Sequence, residues 1–162
     1  MSEVEKDVQK GERLLADFDY KGAISAFKKA LKVEPKNAAA YFGLAEASVG
    51  EPKISMEEAV EAYSKAIEFE PNNPFYRCSF GNYCLQVGKW GVGEEQYKKA
   101  AEIDPENKGL YFTEFGLEYY QAMLKQYEGE LPVAMLKEVK KKSATYLLKS
   151  IDLEVEEAKS IL

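Results

Sequence analysis

Three stretches of the chain repeat one another: FKKALKVEPKN at 27–37, YSKAIEFEPNN at 63–73 and YKKAAEIDPEN at 97–107. Each runs aromatic, Lys-Ala, acid, Pro, one free position, Asn. Ala30, Ala66 and Ala100 lie 36 and 34 residues apart, as do Pro35, Pro71 and Pro105. A period of this length is the mark of a stacked array, in which one supersecondary unit buries its apolar face only against its neighbours. The upstream halves keep the same register. Gly11, Ala45 and Gly81 share one slot, and Leu14, Ser48 and Cys84 follow three residues later. Tyr20 and Trp90 share another slot. Ala23, Ala59 and Gly93 stand four residues before Phe27, Tyr63 and Tyr97. Apolar and small residues at i, i+3, i+4 and i+7 predict two helices in each unit.

At these residues the chain resembles the tetratricopeptide repeat family, whose unit is a 34-residue helix-turn-helix with small residues where helices touch and Pro after the second helix. The resemblance implies an all-α fold, a right-handed superhelical solenoid of antiparallel helix pairs. It covers residues 4 to about 107 as three units, 4–37, 38–73 and 74–107, within a single domain of residues 1–162. Asp7 and Lys10 occupy slots that are apolar in the family, and Arg77 replaces a large apolar residue, so the outer end of the first helix is expected to pack less firmly. The second unit is two residues longer. The extra length falls in EPKIS, where Ser55 and Glu58 have the S-x-x-E spacing of a capping box, and Ile54 and Ala59 are placed to pack as a hydrophobic staple.

The glycine-rich stretch GKWGVGEEQYKKA, residues 88–100, precedes a helix in the way phosphate-binding loops do. Its glycines read G-x-x-G-x-G after a helix, whereas a phosphate loop needs G-x-x-x-x-G-K-[ST] or G-x-G-x-x-G after a strand. In repeat register Gly88 is the turn between two helices and Gly93 is a contact slot. Binding of a nucleotide or other small ligand is therefore a disfavoured alternative.

Composition narrows the function. The sequence has 162 residues, is 46% hydrophobic and has a formal net charge of −6. That charge disfavours nucleic acid, which is held by clustered Lys and Arg. No apolar run is long enough for a signal peptide or a membrane span, so no membrane association is expected and the chain reads as soluble and cytoplasmic. Histidine is absent. Its absence removes Ser-His-Asp and Cys-His catalysis and the common zinc motifs. Cys78 and Cys84 lie about 9 Å apart along one predicted helix, beyond disulfide reach, and read as small buried or groove-lining thiols. No enzyme activity, cofactor or metal is expected.

Beyond Lys108 the repeat fades. GLYFTEFGLEYYQAMLKQY reads as the first helix of a fourth unit, and Gly129 and Pro132 mark a turn and a helix start. The next helix carries a predicted apolar stripe of Val133, Leu136, Val139, Tyr146 and Leu147. Its lysine run Lys140–Lys142 reads as a solvated face, with a basic docking patch as the alternative. Asp152 is placed to cap a last helix, LEVEEAKSIL. Residues 108–162 are thus expected to cover the end of the array, or to form a dimer seam.

The resemblance implies that the first helix of each pair lines a concave groove. In register, the candidate partner-binding residues are Val8 and Glu12, Phe42 and Glu46, Phe75, Cys78 and Asn82, then Phe112 and Tyr119. The family's clamp for acidic chaperone tails uses Lys and Asn on its first helix, Asn on its third, and Lys and Arg on its fifth. Here those slots hold Val8 and Glu12, Gly43, and Phe75 and Ser79, and Glu12 repels a carboxylate. The expected function is a non-enzymatic adaptor that holds an apolar, possibly basic, protein or peptide segment. The alternative is a homo-oligomeric scaffold assembled through the terminal helices.

Overall fold

The structure, a computed structural model, describes residues 1–127 and 129–161. Among these residues the regular structure is entirely helical. The α-helices are α1 (Glu3–Ala16), α2 (Tyr20–Val33), α3 (Ala38–Ala47), α4 (Met56–Phe69), α5 (Pro74–Gln86), α6 (Trp90–Ile103), α7 (Lys108–Gln126), α8 (Val133–Lys149) and α9 (Val155–Ile161), with a 3-10 turn at Pro105–Asn107. Two compact units emerge, Met1–Tyr76 and Arg77–Leu162. In the first, α1 packs on α2, α2 on α3 and α3 on α4; in the second, α6 packs on α7 and α7 on α8.

The repeated acid-Pro-x-Asn run makes the corner between pairs. Proline cannot continue the helix, and the Asn then serves both sides of the corner. Its side-chain amide donates to the acid, from Asn37 to Glu34 at 3.0 Å, Asn73 to Glu70 at 3.1 Å and Asn107 to Asp104 at 2.9 Å. In the first two corners its carbonyl also caps the next helix, accepting from Ala40 N at 2.9 Å and from Phe75 N at 3.1 Å. The Ser55–Glu58 capping box forms as predicted. An equivalent box at Ser2 and Glu5 opens α1; its S-x-x-E spacing is plain in the sequence.

Contact within the first unit centres on Phe27. Its ring is fully buried and lies against glycines of two different helices: a Cβ on Gly11 would stand 2.5 Å from the ring, and one on Gly43 would stand 2.2 Å from it. Burial of such a ring contributes about 1.5–3 kcal/mol. Val4 and Val8 join this core. The outer end of α1 is fastened rather than loose, because buried Asp7 pairs with Lys29 of α2 at 3.0 Å. Lys29 also reaches Glu3, so the polar slot in α1 is matched by a cation from its partner helix. Arg77 finds a comparable partner in the second unit, donating to Gln96 Oε1 at 3.1 Å.

Three expectations for the C-terminal segment change. Val133 is 85% exposed and lies off the apolar stripe, which buries Val139 and Tyr146. Asp152 caps no helix: its φ of 55° is left-handed, and its carboxylate pairs with Lys108 at 2.6 Å. The last helix instead begins at Val155, where Glu157 accepts from Glu154 N at 2.9 Å. Leu162, the last residue of the predicted terminal helix, lies outside the described residues.

Gly43→Ala is expected to lower stability by about 1–3 kcal/mol, since the added methyl meets a ring that is fully enclosed. Gly91→Ala, with nothing near the new Cβ, is expected to raise stability by up to about 1 kcal/mol through helix propensity. Paired chemical denaturation curves measure both.

Candidate functional site

The first unit carries an open concavity of about 490 Å³. Its walls are Glu12 and Leu15 of α1, Phe42, Glu46 and Val49 of α3 or the turn after it, and Phe75 at the start of α5. α3 can show this face because its opposite side is taken up by Ala40 and Ala45, both fully buried. Phe42 is the floor. It stacks on Tyr76 at 4.6 Å with the planes 18° apart, meets Phe75 at 5.3 Å, and stands edge-on to Tyr63 at 6.1 Å. Phe75 is 61% exposed and Val49 73%, so the rim presents large apolar surface to solvent.

The charges here are of one sign. Glu46 is half-buried and accepts a hydrogen bond from the Tyr63 hydroxyl at 2.6 Å; Glu12 is exposed. Burial pushes the Tyr76 phenol up, and the charges of Glu70 and Glu12 push it further, so the negative field reaches the rings. Among the described residues, neither Glu12 nor Glu46 has a cation partner. Aromatic faces beside uncompensated carboxylates attract an alkyl-ammonium or guanidinium group through both charge and the ring quadrupole.

The structure brings together Glu12, Phe42, Glu46 and Phe75 from the predicted groove. Val8 is buried in the core instead, since its side chain packs with Ala23 and Phe27. In the second unit the prediction of an open groove fails. Cys78 and Tyr119 are core residues there, packed with Phe115 and Tyr97, and Asn82 is half-buried. Tyr119 is buried and Phe112 half-buried, and α8 lies over this face: Tyr146 stands edge-on to Phe112 at 5.7 Å and to Phe115 at 4.4 Å.

The reason is a one-residue displacement. In α1 and α5 the small contact slot holds Gly11 and Gly81, each facing an aromatic of the following helix. In α7 the same slot holds Phe115, whose ring is fully buried, and the small residue comes one later, at Gly116. One residue is about 100° around a helix. The next helix therefore approaches by the face carrying Gly109, Phe112 and Gly116. A Cβ on Gly109 would stand 2.6 Å from the Ser150 carbonyl oxygen, and one on Gly116 would stand 3.1 Å from that of Ser143. Gly109 and Gly116, seven apart, were the available sequence signal.

Glu94 of α6 fastens α8 from the side. It accepts a hydrogen bond from the Tyr146 hydroxyl at 2.6 Å, is bonded by Lys142, and pairs with Lys98 at 3.0 Å. Partial burial would raise its carboxyl, but bonds from Lys142, Tyr146 and Lys98 outweigh that and hold it at about 2. Lys142 also lies over the Tyr119 ring at 5.1 Å. Burial raises both thiols, Cys78 to about 12, with the charge of Glu114 adding to it, and Cys84 to about 11, so neither is a thiolate at neutral pH. The glycine-rich stretch is an interhelical turn: Gly88 has a φ of 80°, and Gly93 backs onto Leu85 and the Gly81 carbonyl.

The description "Tetratricopeptide repeat" matches residues 14–50 and again residues 55–73. Residues 14–50 and 55–73 thus carry tetratricopeptide repeats. Small glutamine-rich tetratricopeptide repeat-containing protein 2 of Mycosarcoma maydis is 33% identical to it over 88 residues, 52% of this chain and 25% of that protein. Protein CTR9 homolog of Arabidopsis thaliana is 28% identical over 101 residues, 62% of this chain and 9% of that protein. The chain thus spans a quarter or less of these curated relatives. Among solved structures, one described as "Crystal structure of MamA" superposes with a TM-score of 0.70 at 21% identity, covering 99% of this chain and 82% of that one. Another, "Functional Characterization of Pseudomonas Aeruginosa pilF", gives 0.61 at 17% identity, covering 98% and 96%. At these identities the likeness is one of fold. The repeat fold implies an adaptor for protein–protein contact. No helix among the described residues is long and apolar enough to cross a membrane.

Glu94→Gln tests the fastening of α8. A carboxylate held below its ordinary value near 4.5 stabilises the fold fully above that value and loses its effect as pH falls toward 2. Wild type should therefore melt above the variant at pH 7, with the gap closing between pH 4.5 and 2. A gap independent of pH over that window would contradict the ionic fastening.

Proposed function

We propose that the chain is a non-enzymatic adaptor that holds an apolar, basic segment of a partner protein in the concavity of its first unit. The observation that carries this reading is Phe42, set as a floor among Tyr76, Phe75 and Tyr63, with Glu12 and Glu46 beside it and, among the described residues, no cation paired with either. Exposed aromatic anchors rimmed by charge are the surfaces on which binding energy concentrates. A helix laid in the groove would place its apolar residues on Phe42 and Phe75 and its lysines or arginines toward Glu12 and Glu46. The acidic-tail clamp of the family has no counterpart here, because Glu12 would face the incoming carboxylates.

Assembly through the terminal helices is the second reading. Its support is Leu110 and Leu117, 67% and 47% exposed and seven residues apart on one face of α7. Light scattering on the purified chain tests it, a dimer mass supporting the reading and a monomer mass opposing it.

Selection from a random displayed-peptide library is expected to enrich positively charged sequences with apolar anchors. Phe75→Glu and Glu12→Lys should each weaken the selected peptides by roughly tenfold or more while leaving helical circular dichroism unchanged, because both side chains are exposed. Enrichment of acidic peptides, or binding that survives both changes, would reject the proposal.

A further inference from the structure

Phe18 stands where the fold asks for glycine. It lies in the turn between α1 and α2 with a φ of 60°. In the second unit the corresponding position, two residues before the slot shared by Tyr20 and Trp90, is Gly88, with a φ of 80°. The two turns are bonded alike. Phe18 N donates to the Leu15 carbonyl at 3.0 Å and Asp19 N to that of Leu14 at 2.8 Å; Gly88 N donates to that of Leu85 at 3.3 Å and Lys89 N to that of Cys84 at 2.7 Å. A left-handed residue after the last helical turn completes this pattern, and glycine supplies it without a side-chain clash. A bulky aromatic held there is strained.

Burial does not offset the strain, since Phe18 is 76% exposed. Its ring meets Tyr20 edge-on at 6.4 Å, and Tyr20 is part of the wall of the first unit's concavity. The Tyr20 ring is itself held close by the turn after α3, where a Cβ on Gly50 would stand 2.0 Å from it. Val49, the neighbour of that glycine, also lines the concavity. Phe18 thus carries the apolar lining outward over the α1–α2 turn. The charge pattern continues with it. Asp17 and Asp19 flank Phe18 in the chain and are exposed, and among the described residues no cation is paired with either.

We propose that Phe18 is a further anchor of the docking site in the first unit, taking a lysine or arginine of the bound segment across its ring between Asp17 and Asp19. The ring quadrupole and the two carboxylates act on that cation together. The inference rests on the reading that a basic, apolar segment occupies the concavity, and it extends the footprint of that segment past Tyr20. A strained, exposed ring kept for binding weakens the fold while strengthening the complex, so substitution separates the two properties.

That separation is the test. Phe18→Gly in the full chain is expected to raise the melting temperature by about 2–4 °C, because glycine relieves the turn. The same variant should bind peptides selected on the wild-type chain from a random displayed library roughly fivefold more weakly. Phe18→Leu, which leaves an apolar side chain in the strained turn, should lose the same affinity with no gain in stability. Alanine in place of one lysine or arginine of the selected peptide should weaken its binding to wild type and leave its binding to Phe18→Gly unchanged. Phe75→Glu is the control for the concavity itself. If it removes binding while Phe18→Gly stays within twofold of wild type, the concavity stands and the Phe18 anchor is overturned. If neither change weakens the peptides, the reading of the concavity fails and the anchor with it. A lower melting temperature for Phe18→Gly also overturns the proposal, because Phe18 then serves the fold.

Discussion

The contact between an aromatic on the second helix of a pair and a small residue on the first determines which faces are left for anything else. Phe27 illustrates it, with its ring held between Gly11 and Gly43 so that one side chain spaces three helices at once. Tyr97 does the same against Gly81. Interiors pack at crystal-like density, so the small slot fixes the direction of approach as firmly as it fixes the distance. A helix that is closed on one side by this contact keeps the other side free. α3 uses its free side to carry Phe42 and Glu46 into the concavity.

Where the small slot moves, the use of the surface changes with it. Phe115 fills the slot in α7, and the notch at Gly116 turns the following helix onto what is elsewhere the open face. The same backbone geometry therefore gives an open apolar concavity in one unit and a self-covered one in the other. The shift of one residue is sufficient, because it rotates the notch by about 100°.

Much of this was legible in the residues. The acid-Pro-x-Asn corners and the small slots at Ala23, Ala59 and Gly93 give the helix pairs by spacing alone, and the S-x-x-E pattern at Ser55 gives a helix start. Glu12, Phe42, Glu46 and Phe75 come together as the register implies. Phe112 and Tyr119 were misplaced because their exposure depends on where α8 lies, and residues 108–162 contain no further repeat to set its register. Val8 illustrates a different limit: a position can satisfy the groove spacing and still turn inward when small neighbours such as Ala23 leave room for it. Asp152 is a local case. Its type suits a cap, but the chain reverses there through a left-handed residue and Lys108 takes the carboxylate.

The displaced titratable groups report enclosure and the fastening of one helix to another. Proton transfer at neutral pH needs a group tuned near 7. The displaced groups here all move away from that point: Glu94 falls to about 2, Cys84 rises to about 11 and Cys78 to about 12, and burial pushes the Tyr97 and Tyr146 phenols upward as well. Each shift has a structural cause, either enclosure in the packed core or a bond that fastens one helix to another. Glu94 and Glu46 make the point by contrast. Both accept a tyrosine hydroxyl at 2.6 Å beside a cluster of rings, but Glu94 is neutralised by Lys142 and Lys98 from its own unit while Glu46 is not. In the second unit the carboxylate set among aromatics is satisfied by Lys142 of α8, whereas among the described residues no lysine pairs with Glu46.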